Sequence, residues 1–401
     1  MTRTQQLLAE LIALPSVNPA FAPANPPEGA AARGSRALHG EKQVADFLAA
    51  TAAKAGLDVD FQQVFQDRAN VIIRLAPQGK IQQTVILAPH MDTVGAEESQ
   101  LIPRRKDGRL HGRGACDTKG SVAAMLAALC EVAAARSRPR ATQIVFVGLV
   151  DEEYAQAGSR TFAAHAARLG LAPNRSAGRG GTAPSVLAIV GEPTRLQLVT
   201  AHKGSLWLRL ETRGRAAHGS TPHLGKNAVR AMARVVEALE GDYAARLRRR
   251  KHPLLGPATV NVGSIAGGTQ PNIVPAECHI LVDRRTLPGE TDAGVIREIG
   301  AELRARGLAA RIFNTKLAPA PALETDPKLP LVRQFSRQLG QSRPVGVDYF
   351  CDAAVLAAGG IPSVVFGPGD IAQAHTAEEW ISLAQLERGK EMLAAFLKSL
   401  S

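Results

Sequence analysis

The feature of this 401-residue sequence that most constrains its fold is the placement of acids and histidines directly after short apolar runs. The positions that share this feature are His90 and Asp92 after 85–88, Asp151, Glu152 and Glu153 after 144–150, Glu192 after 186–191, and His375 after 364–366 and a Gly-Pro-Gly turn. Apolar runs of this length, separated by Ala-rich stretches with helical periodicity, predict buried strands that alternate with helices. The sequence therefore predicts a sheet that delivers His, Asp and Glu to one edge.

The order of predicted strands and helices favours an α/β fold into which a second module is inserted. Up to about residue 203, strands and helices alternate, which is typical of a mixed, mostly parallel sheet between layers of helices. From 205 to 316 the predicted order is strand, helix, strand, strand, helix, strand, the order of a ferredoxin-like α+β sandwich. The α/β pattern then resumes. We therefore expect a catalytic domain in two segments, 1–203 and 318–401, with an inserted domain at 204–317.

Composition narrows the class of protein. No stretch reaches the roughly 20 apolar residues that span a bilayer, and the first residues lack a signal-peptide pattern, so we expect a cytoplasmic protein with no membrane partner. The formal net charge is +12, but the basic residues are dispersed outside the cluster 246–251. A solvated basic surface explains this better than a nucleic-acid site, and a field that steers anionic substrates is the functional alternative. The four cysteines contain no CxxC pair, which argues against a Cys-rich zinc site.

Taken alone, each of these motifs is ambiguous between an ordinary structural role and a role at a metal site. His90 and Asp92 lie two apart and share a strand face, so the carboxylate could orient the imidazole towards a metal. Asp117 follows a Gly-rich turn and precedes a helix, where it could be an N-cap or bridge two cations. The acids at 151–153 form either a solvated turn or a group that needs a cation to offset its repulsion.

Taken together, these side chains favour a metal centre. Open α/β sheets bind ligands beyond the carboxyl ends of their strands, which is where all of these residues are predicted to lie. A donor set of oxygen and nitrogen without thiolate suits Zn, with Co or Mn as alternatives.

Several motifs make the sequence resemble the dinuclear zinc amidohydrolases and metallopeptidases that include acetylornithine deacetylase, succinyl-diaminopimelate desuccinylase, aminoacylase and glutamate carboxypeptidase. The matching segments are APHMDTV at 88–94, GRGACDTKG at 112–120, DEE at 151–153, GEPT at 191–194 and QAHT at 373–376. The segments 192–204 and 366–375 look most like those of acetylornithine deacetylases.

The resemblance implies a role for each residue of the centre. Asp117 would bridge two divalent cations, with His90 and Glu192 completing one site and Glu153 and His375 the other. Glu152 would be the general base for a metal-activated water, and Asp92 the partner that orients His90. The enzyme would thereby hydrolyse the amide bond of an N-acyl amino acid.

The resemblance also gives the inserted domain a function, as a ferredoxin-like lid through which a homodimer forms. His218 would reach the active site of the partner subunit and polarise the scissile carbonyl. Asn272, Arg285 and Gly369 are the expected substrate-binding residues, with Arg285 as the carboxylate clamp.

Alternatives remain within and outside this class. The substrate could be succinyl-diaminopimelate or a short peptide, as for a desuccinylase, carboxypeptidase or dipeptidase. A non-catalytic binding protein and a nucleic-acid binder are the alternatives from other classes. Two apparent insertions, 19–36 and 171–184, leave the acyl group and side chain of the substrate open, and Cys116 has no assigned role.

Overall fold

A computed structural model describes residues 1–22, 39–135, 138–166, 168 and 185–400 of the chain. The chain divides into two compact units. The larger unit contains Met1–Thr200, Thr325–Val345 and Cys351–Ser401, and the smaller contains Ala201–Glu324 and Gly346–Phe350. Of the two apparent insertions, 171–184 and most of 19–36 lie outside the described residues.

The strands of the described residues, in chain order, are β1 (Asp58–Phe65), β2 (Arg68–Leu75), β3 (Gln83–Pro89), β4 (Arg104–Lys106), β5 (Arg109–His111), β6 (Thr142–Gly148), β7 (Ser185–Gly191), β8 (Val199–His202), β9 (Gly204–Arg213), β10 (Lys251–His252), β11 (Gly256–Pro257), β12 (Thr259–Gly267), β13 (Glu277–Thr286), β14 (Arg311–Asn314), β15 (Leu323–Glu324), β16 (Val345–Val347), β17 (Ser363–Val365) and β18 (Trp380–Ser382). The α-helices are α1 (Arg3–Ala13), α2 (Lys42–Lys54), α3 (Lys119–Ala134), α4 (Ala157–His165), α5 (Ala228–Ala238), α6 (Ala244–Arg249), α7 (Asp292–Ala305), α8 (Pro330–Leu339), α9 (Asp352–Ala358) and α10 (Leu383–Lys398).

The larger unit is built on a mixed sheet whose central strands run parallel. The strand order is β1-β2-β6-β3-β7-β17. β3 is parallel to both β6 and β7, and β17 is parallel to β7. β2 is antiparallel to β6, and β1 is antiparallel to β2. Because β6, β3, β7 and β17 point the same way, their carboxyl ends lie along one edge of the sheet.

Helix α3 lies in the centre of the larger unit, because apolar and small residues occupy all of its faces. Most of its residues are buried, including Val122, Met125 and Leu129. A helix that is apolar all round belongs in a core rather than at a surface. It packs against α1 and α10, so the first residue of α3 is held firmly beside the sheet edge.

The smaller unit contains a four-stranded antiparallel sheet in the order β12-β13-β9-β14. Helices α5 and α7 pack on it through apolar side chains such as Met232, Val235 and Ile299, which are buried with alternate residues of β9 and β13. The chain order of strands and helices, together with this spatial order, is that of a ferredoxin-like sandwich.

The predicted α/β fold class is confirmed, and the apolar runs 85–88, 144–150 and 186–191 agree with β3, β6 and β7 to within two residues. The sequence analysis missed β1 and the small sheet β18-β5-β4. Within the part of the chain that the structure describes, no helix is long and apolar enough to cross a membrane.

Candidate metal centre

Two groups of side chains meet beyond the strand ends of the larger unit, and both groups contain Asp117. In the first group, His90 Nε2 lies 3.2 Å from Asp117 Oδ1 and 3.9 Å from Glu192 Oε1. In the second group, His375 Nε2 lies 3.2 Å from Asp117 Oδ2 and 3.1 Å from Glu153 Oε2. Within each group, one donor atom per residue lies within 4.8 Å of the others, so each group could hold one metal ion.

The parallel strands account for this convergence of residues that are distant in sequence. His90 directly follows β3, and Glu192 directly follows β7, its neighbour in the sheet. Glu153 follows β6 on the other side of β3. His375 lies on the loop after β17 and has a left-handed φ of 61°. A left-handed φ is uncommon for a residue other than glycine and is found where the surroundings fix the conformation.

The turn before α3 presents Asp117 between the two histidines. Gly114 has φ 80°, and a Cβ there would lie 2.9 Å from the Lys119 side chain, so only glycine suits this position. Thr118, rather than Asp117, is the N-cap of α3, which excludes the helix-capping alternative. The Thr118 hydroxyl donates to the carbonyl of Gly191 at 2.7 Å, and this bond ties the Asp117 turn to the strand that carries Glu192.

Asp92 holds the segment with the two glutamates by accepting hydrogen bonds from their backbone. Its carboxylate oxygens accept from the peptide N–H of Glu152 at 3.0 Å and of Glu153 at 3.1 Å. The nearest acceptor to His90 Nδ1 is the backbone carbonyl of Asp92, at 2.9 Å, while the Asp92 carboxylate lies at 3.4 Å. The fixed Nδ1–H leaves Nε2 free to face Asp117, since the tautomer of a histidine follows from the hydrogen bond of its other nitrogen.

The cluster contains more carboxylates than histidines, and burial and hydrogen bonds shift the pKa values of both. Burial raises the pKa of Glu192 well above its usual range, and burial also raises that of Glu153. Hydrogen bonds to Asp117 and Glu153 raise the pKa of His375 to about 10. Burial would lower the pKa of His90, but hydrogen bonds to Asp117 and Asp92 raise it well above its ordinary value. Carboxylates crowded in this way need positive charge among them, whether from protons or from metal ions.

The residues present fit a pair of divalent cations. Glu192 Oε1 is fully buried and has no hydrogen-bond partner among the described residues. A buried carboxylate oxygen without a partner is costly, and a cation beside His90 Nε2 would satisfy it. The two imidazoles and three carboxylates supply borderline and hard donors, as Zn, Co and Mn sites do.

Glu152 lies beside the cluster without belonging to either group. Burial raises its pKa well above the usual range; the nearby His90 opposes this, and Glu192 adds to it. A carboxylate with a raised pKa is a stronger base and can accept a proton near neutral pH. The position of Glu152 therefore suits proton transfer rather than metal ligation.

The other predicted site residues lie in both units. In the smaller unit, His218 and Asn272 come together, because Gly219 N donates to the Asn272 carbonyl at 2.7 Å and His218 bridges to Ile273. Arg285 is partly exposed, and its Nε lies 2.9 Å from Asp283 Oδ2.

Arg284, the neighbour of Arg285, is instead fully buried and pairs with Glu290. In the larger unit, Gly369 has φ 101°, and a Cβ there would lie 2.7 Å from Cys116 Sγ. Cys116 donates its S–H to the Asp370 carbonyl at 3.3 Å.

Sequence reasoning missed several residues that support the site. Asn18 Nδ2 donates to Asp92 at 2.8 Å and to Asp151 at 3.0 Å. Arg68 pairs with Glu41 and with Asp151. Asn18 and Arg68 lack the placement after an apolar run that identified the other residues. The sequence signal for both residues is Asp151. An acid between a buried strand and two more acids needs a partner elsewhere in the chain.

Glu379 was missed as well. It is buried, and it accepts hydrogen bonds from the backbone N–H groups of Gly114, Cys116 and Asp117. A second acid, Glu378, precedes it, so the pair resembles an ordinary exposed acidic turn in the sequence.

Comparison with curated proteins shows similarity along most of the chain. The chain is 30% identical over 361 residues to the acetylornithine deacetylase of Myxococcus xanthus, covering 87% of this chain and 90% of that protein. It is 28% identical over 405 residues to the acetylornithine deacetylase of Proteus mirabilis, covering 98% and 96%.

Comparison with solved structures shows the same fold in peptidases. The aminopeptidase PepT from Bacillus cereus superposes with a TM-score of 0.73 at 20% identity, over 99% of this chain and 97% of that one. The YXEP protein of Bacillus subtilis, described as a dinuclear metal binding peptidase, gives 0.67 at 13% identity, over 99% and 97%.

A family model matches residues 86–399, a range that includes all five candidate ligands. This chain therefore belongs to peptidase family M20/M25/M40 and is a hydrolytic enzyme that acts on amide bonds.

Proposed function

We propose that the protein hydrolyses the amide bond of an N-acyl amino acid, as an acetylornithine deacetylase does, with two Zn ions held by His90, Asp117, Glu192, Glu153 and His375. The observation that carries this proposal is the sharing of Asp117 by two complete three-residue donor groups. The resemblance to deacetylases at about 30% identity supports the acyl amino acid over a peptide.

The chemistry that two divalent cations supply when bound is a lowered pKa of a water molecule and a polarised substrate carbonyl. Glu152 accepts the proton of the attacking water and later delivers it to the leaving amine. Asp92 fixes the direction of Glu152 and Glu153 through their peptide N–H groups. The backbone carbonyl of Asp92 keeps His90 Nε2 directed at Asp117.

The substrate-binding roles are those that the resemblance implies. Arg285 binds the substrate carboxylate, because a guanidinium makes two parallel hydrogen bonds to a carboxylate, and its partial exposure leaves it accessible. Asn272 lies beside His218, since its backbone carbonyl accepts from Gly219 N–H, and its side-chain amide would bind the substrate. Gly369 would contribute backbone to the substrate pocket, and a side chain at this position would meet Cys116.

A homodimer completes the proposed site. His218 of the partner subunit donates a hydrogen bond to the carbonyl oxygen as negative charge develops there. His218 is exposed, and its Nδ1 is held by the Ser220 hydroxyl at 2.7 Å. The ring is therefore oriented, with Nε2 available for a substrate.

The test combines metal analysis with a substrate panel. Purified protein is expected to bind two Zn ions per chain and to turn over N-acetylornithine faster than succinyl-diaminopimelate or dipeptides. The Glu152→Gln variant keeps the shape of the side chain but removes the base, so its turnover should fall roughly 10²- to 10⁴-fold with unchanged metal content. Near-normal turnover in this variant would refute the base assignment, and a preference for dipeptides would refute the substrate class.

A further inference from the structure

We propose that Glu379 is the positioning residue that fixes Asp117 and His375 relative to each other and so forms the metal centre before metal binds. The proposal deepens the proposed function and rests on its metal centre. Glu379 itself faces the backbone of the Asp117 turn rather than the candidate ligand atoms.

The Glu379 carboxylate accepts hydrogen bonds from backbone N–H groups that converge in the Asp117 turn. Oε1 accepts from the N–H of Cys116 at 2.8 Å and of Asp117 at 3.0 Å, and Oε2 accepts from the N–H of Gly114 at 3.0 Å. Successive N–H groups that converge in this way form an anion-binding nest. Here the anion is a side chain of the same protein, and it fixes the turn from within.

Arg113 supplies the countercharge and extends the contact to the loop of His375. Its Nη1 donates to Glu379 Oε2 at 2.8 Å and to the carbonyl of Thr376 at 3.2 Å. Its Nε donates to the carbonyl of Gly95 at 3.0 Å. Both Arg113 and Glu379 are buried, so each charge would be strongly unfavourable without the other.

The position of Glu379 in the chain explains why this contact affects the metal ligands. Glu379 lies four residues after His375, and its own carbonyl accepts from Gly112 N at 3.0 Å. The next residues form β18, which pairs with β5, the strand that leads into the Asp117 turn. The loop that carries one ligand and the turn that carries the bridging ligand are therefore joined by side-chain, backbone and strand contacts.

The neighbouring acid provides a matched control. Glu378 has the same chemistry one residue earlier, but its side chain is 78% exposed and forms an ion pair with Arg104 at 3.5 Å. Glu378→Gln and Glu379→Gln make the same change in charge. Only the second replaces a carboxylate oxygen with an NH₂ group that faces N–H donors.

The experiment is titration of metal-depleted full-length protein with Co²⁺, followed by visible absorption and competition with a chelating dye. Glu379→Gln is expected to weaken Co²⁺ binding roughly 10- to 100-fold, the range typical of residues that orient metal ligands. Glu378→Gln should bind as the unchanged protein does. At saturating metal, Glu379→Gln should lower kcat with little change in KM, because substrate-binding residues are unaffected.

The outcomes separate the inference from the proposed function. Absence of Co²⁺ binding in the unchanged protein would refute the metal centre itself. Two Co²⁺ ions bound by Glu379→Gln with unchanged affinity and spectrum would overturn the positioning role, even if the thermal stability of the metal-depleted variant fell.

A second variant covers the case in which Glu379→Gln does not fold. Arg113→Lys retains a cation but cannot reach all three acceptors of Arg113. Weakened Co²⁺ binding by this variant is expected, and unchanged binding would overturn the proposal.

Discussion

The two halves of the candidate centre, one with His90 and Glu192 and the other with Glu153 and His375, differ in the burial of their histidines and in what supports them. His90 and Glu192 are almost fully buried, and His90 is fixed by a backbone carbonyl. The side chain of His375 is 53% exposed and lies on a loop with left-handed backbone. The same donor types therefore occur in two environments. The carboxylates of both halves are buried and depend on partners for their charge, because burial without a partner is costly, whereas water can also solvate the His375 ring.

The largest expected effect comes from the residue that the halves share. Asp117→Asn keeps the shape of the side chain but removes the charge from both groups, so neither half should hold its cation tightly. Activity should fall to background, and bound metal from two ions per chain to one or none, as measured by elemental analysis. Retention of both ions would show that the halves do not depend on Asp117 as their common ligand.

The second prediction separates the halves. His90→Ala leaves the buried Glu192 without its histidine and Asp117 with one partner fewer, and it should lower the free energy of unfolding of the metal-depleted protein by about 3 kcal/mol or more. His375→Ala removes a half-exposed ring that water already solvates in part, although it leaves the buried Asp117 and Glu153 with one partner fewer, so its cost should be smaller, about 1–3 kcal/mol. Urea unfolding of the two variants measures this contrast. Equal losses would show that burial does not distinguish the halves.

A smaller effect is expected from the support of the half with His90. Asn18→Ala removes the amide that joins Asp92 to Asp151 and leaves buried carboxylate oxygens with fewer donors. The free energy of unfolding should fall by about 1–3 kcal/mol. Gln6→Ala, which removes an exposed amide from α1, is the control and should have little effect.

The last prediction concerns pH. Burial raises the pKa of Asp352 to about 7, above its value in the unfolded chain. A carboxyl group of this kind disfavours folding as pH rises, with the loss starting near the unfolded pKa and complete above the folded pKa. In metal-depleted protein, the stability of Asp352→Asn relative to the unchanged chain should rise between about pH 4 and 7. A constant difference across this range would contradict the shift.

Four of the five candidate ligands could be found in the sequence because each follows a strand with a clear apolar pattern, and the exception is Asp117, which follows the Gly-rich turn before α3. The strand gives the position along the sheet edge, and the parallel arrangement brings the ends together. The three acids at 151–153 illustrate the limit of this reasoning. Their sequence does not separate them, yet Asp151 is held by Asn18 and Arg68, Glu153 meets His375, and Glu152 belongs to neither group.

Supporting residues could not be found in this way, because their burial depends on tertiary contacts. Glu378 and Glu379 are identical in type and adjacent, but one is exposed and the other buried. Only the pairing of β18 with β5 decides which of them faces the Asp117 turn. That pairing cannot be predicted from the local sequence, because the two strands are short and distant in the chain.

The parallel strands bring His90 and His375 together from distant parts of the chain. The metal site can therefore be completed only late in synthesis. In the order of synthesis, four of the five candidate ligands precede the whole smaller unit, and His375 follows it. A nascent chain released before the last loop would present an incomplete set of donors and would take up metal poorly. Cations that bind only the finished fold shift the equilibrium towards it, so metal supply would favour full-length molecules over truncated ones.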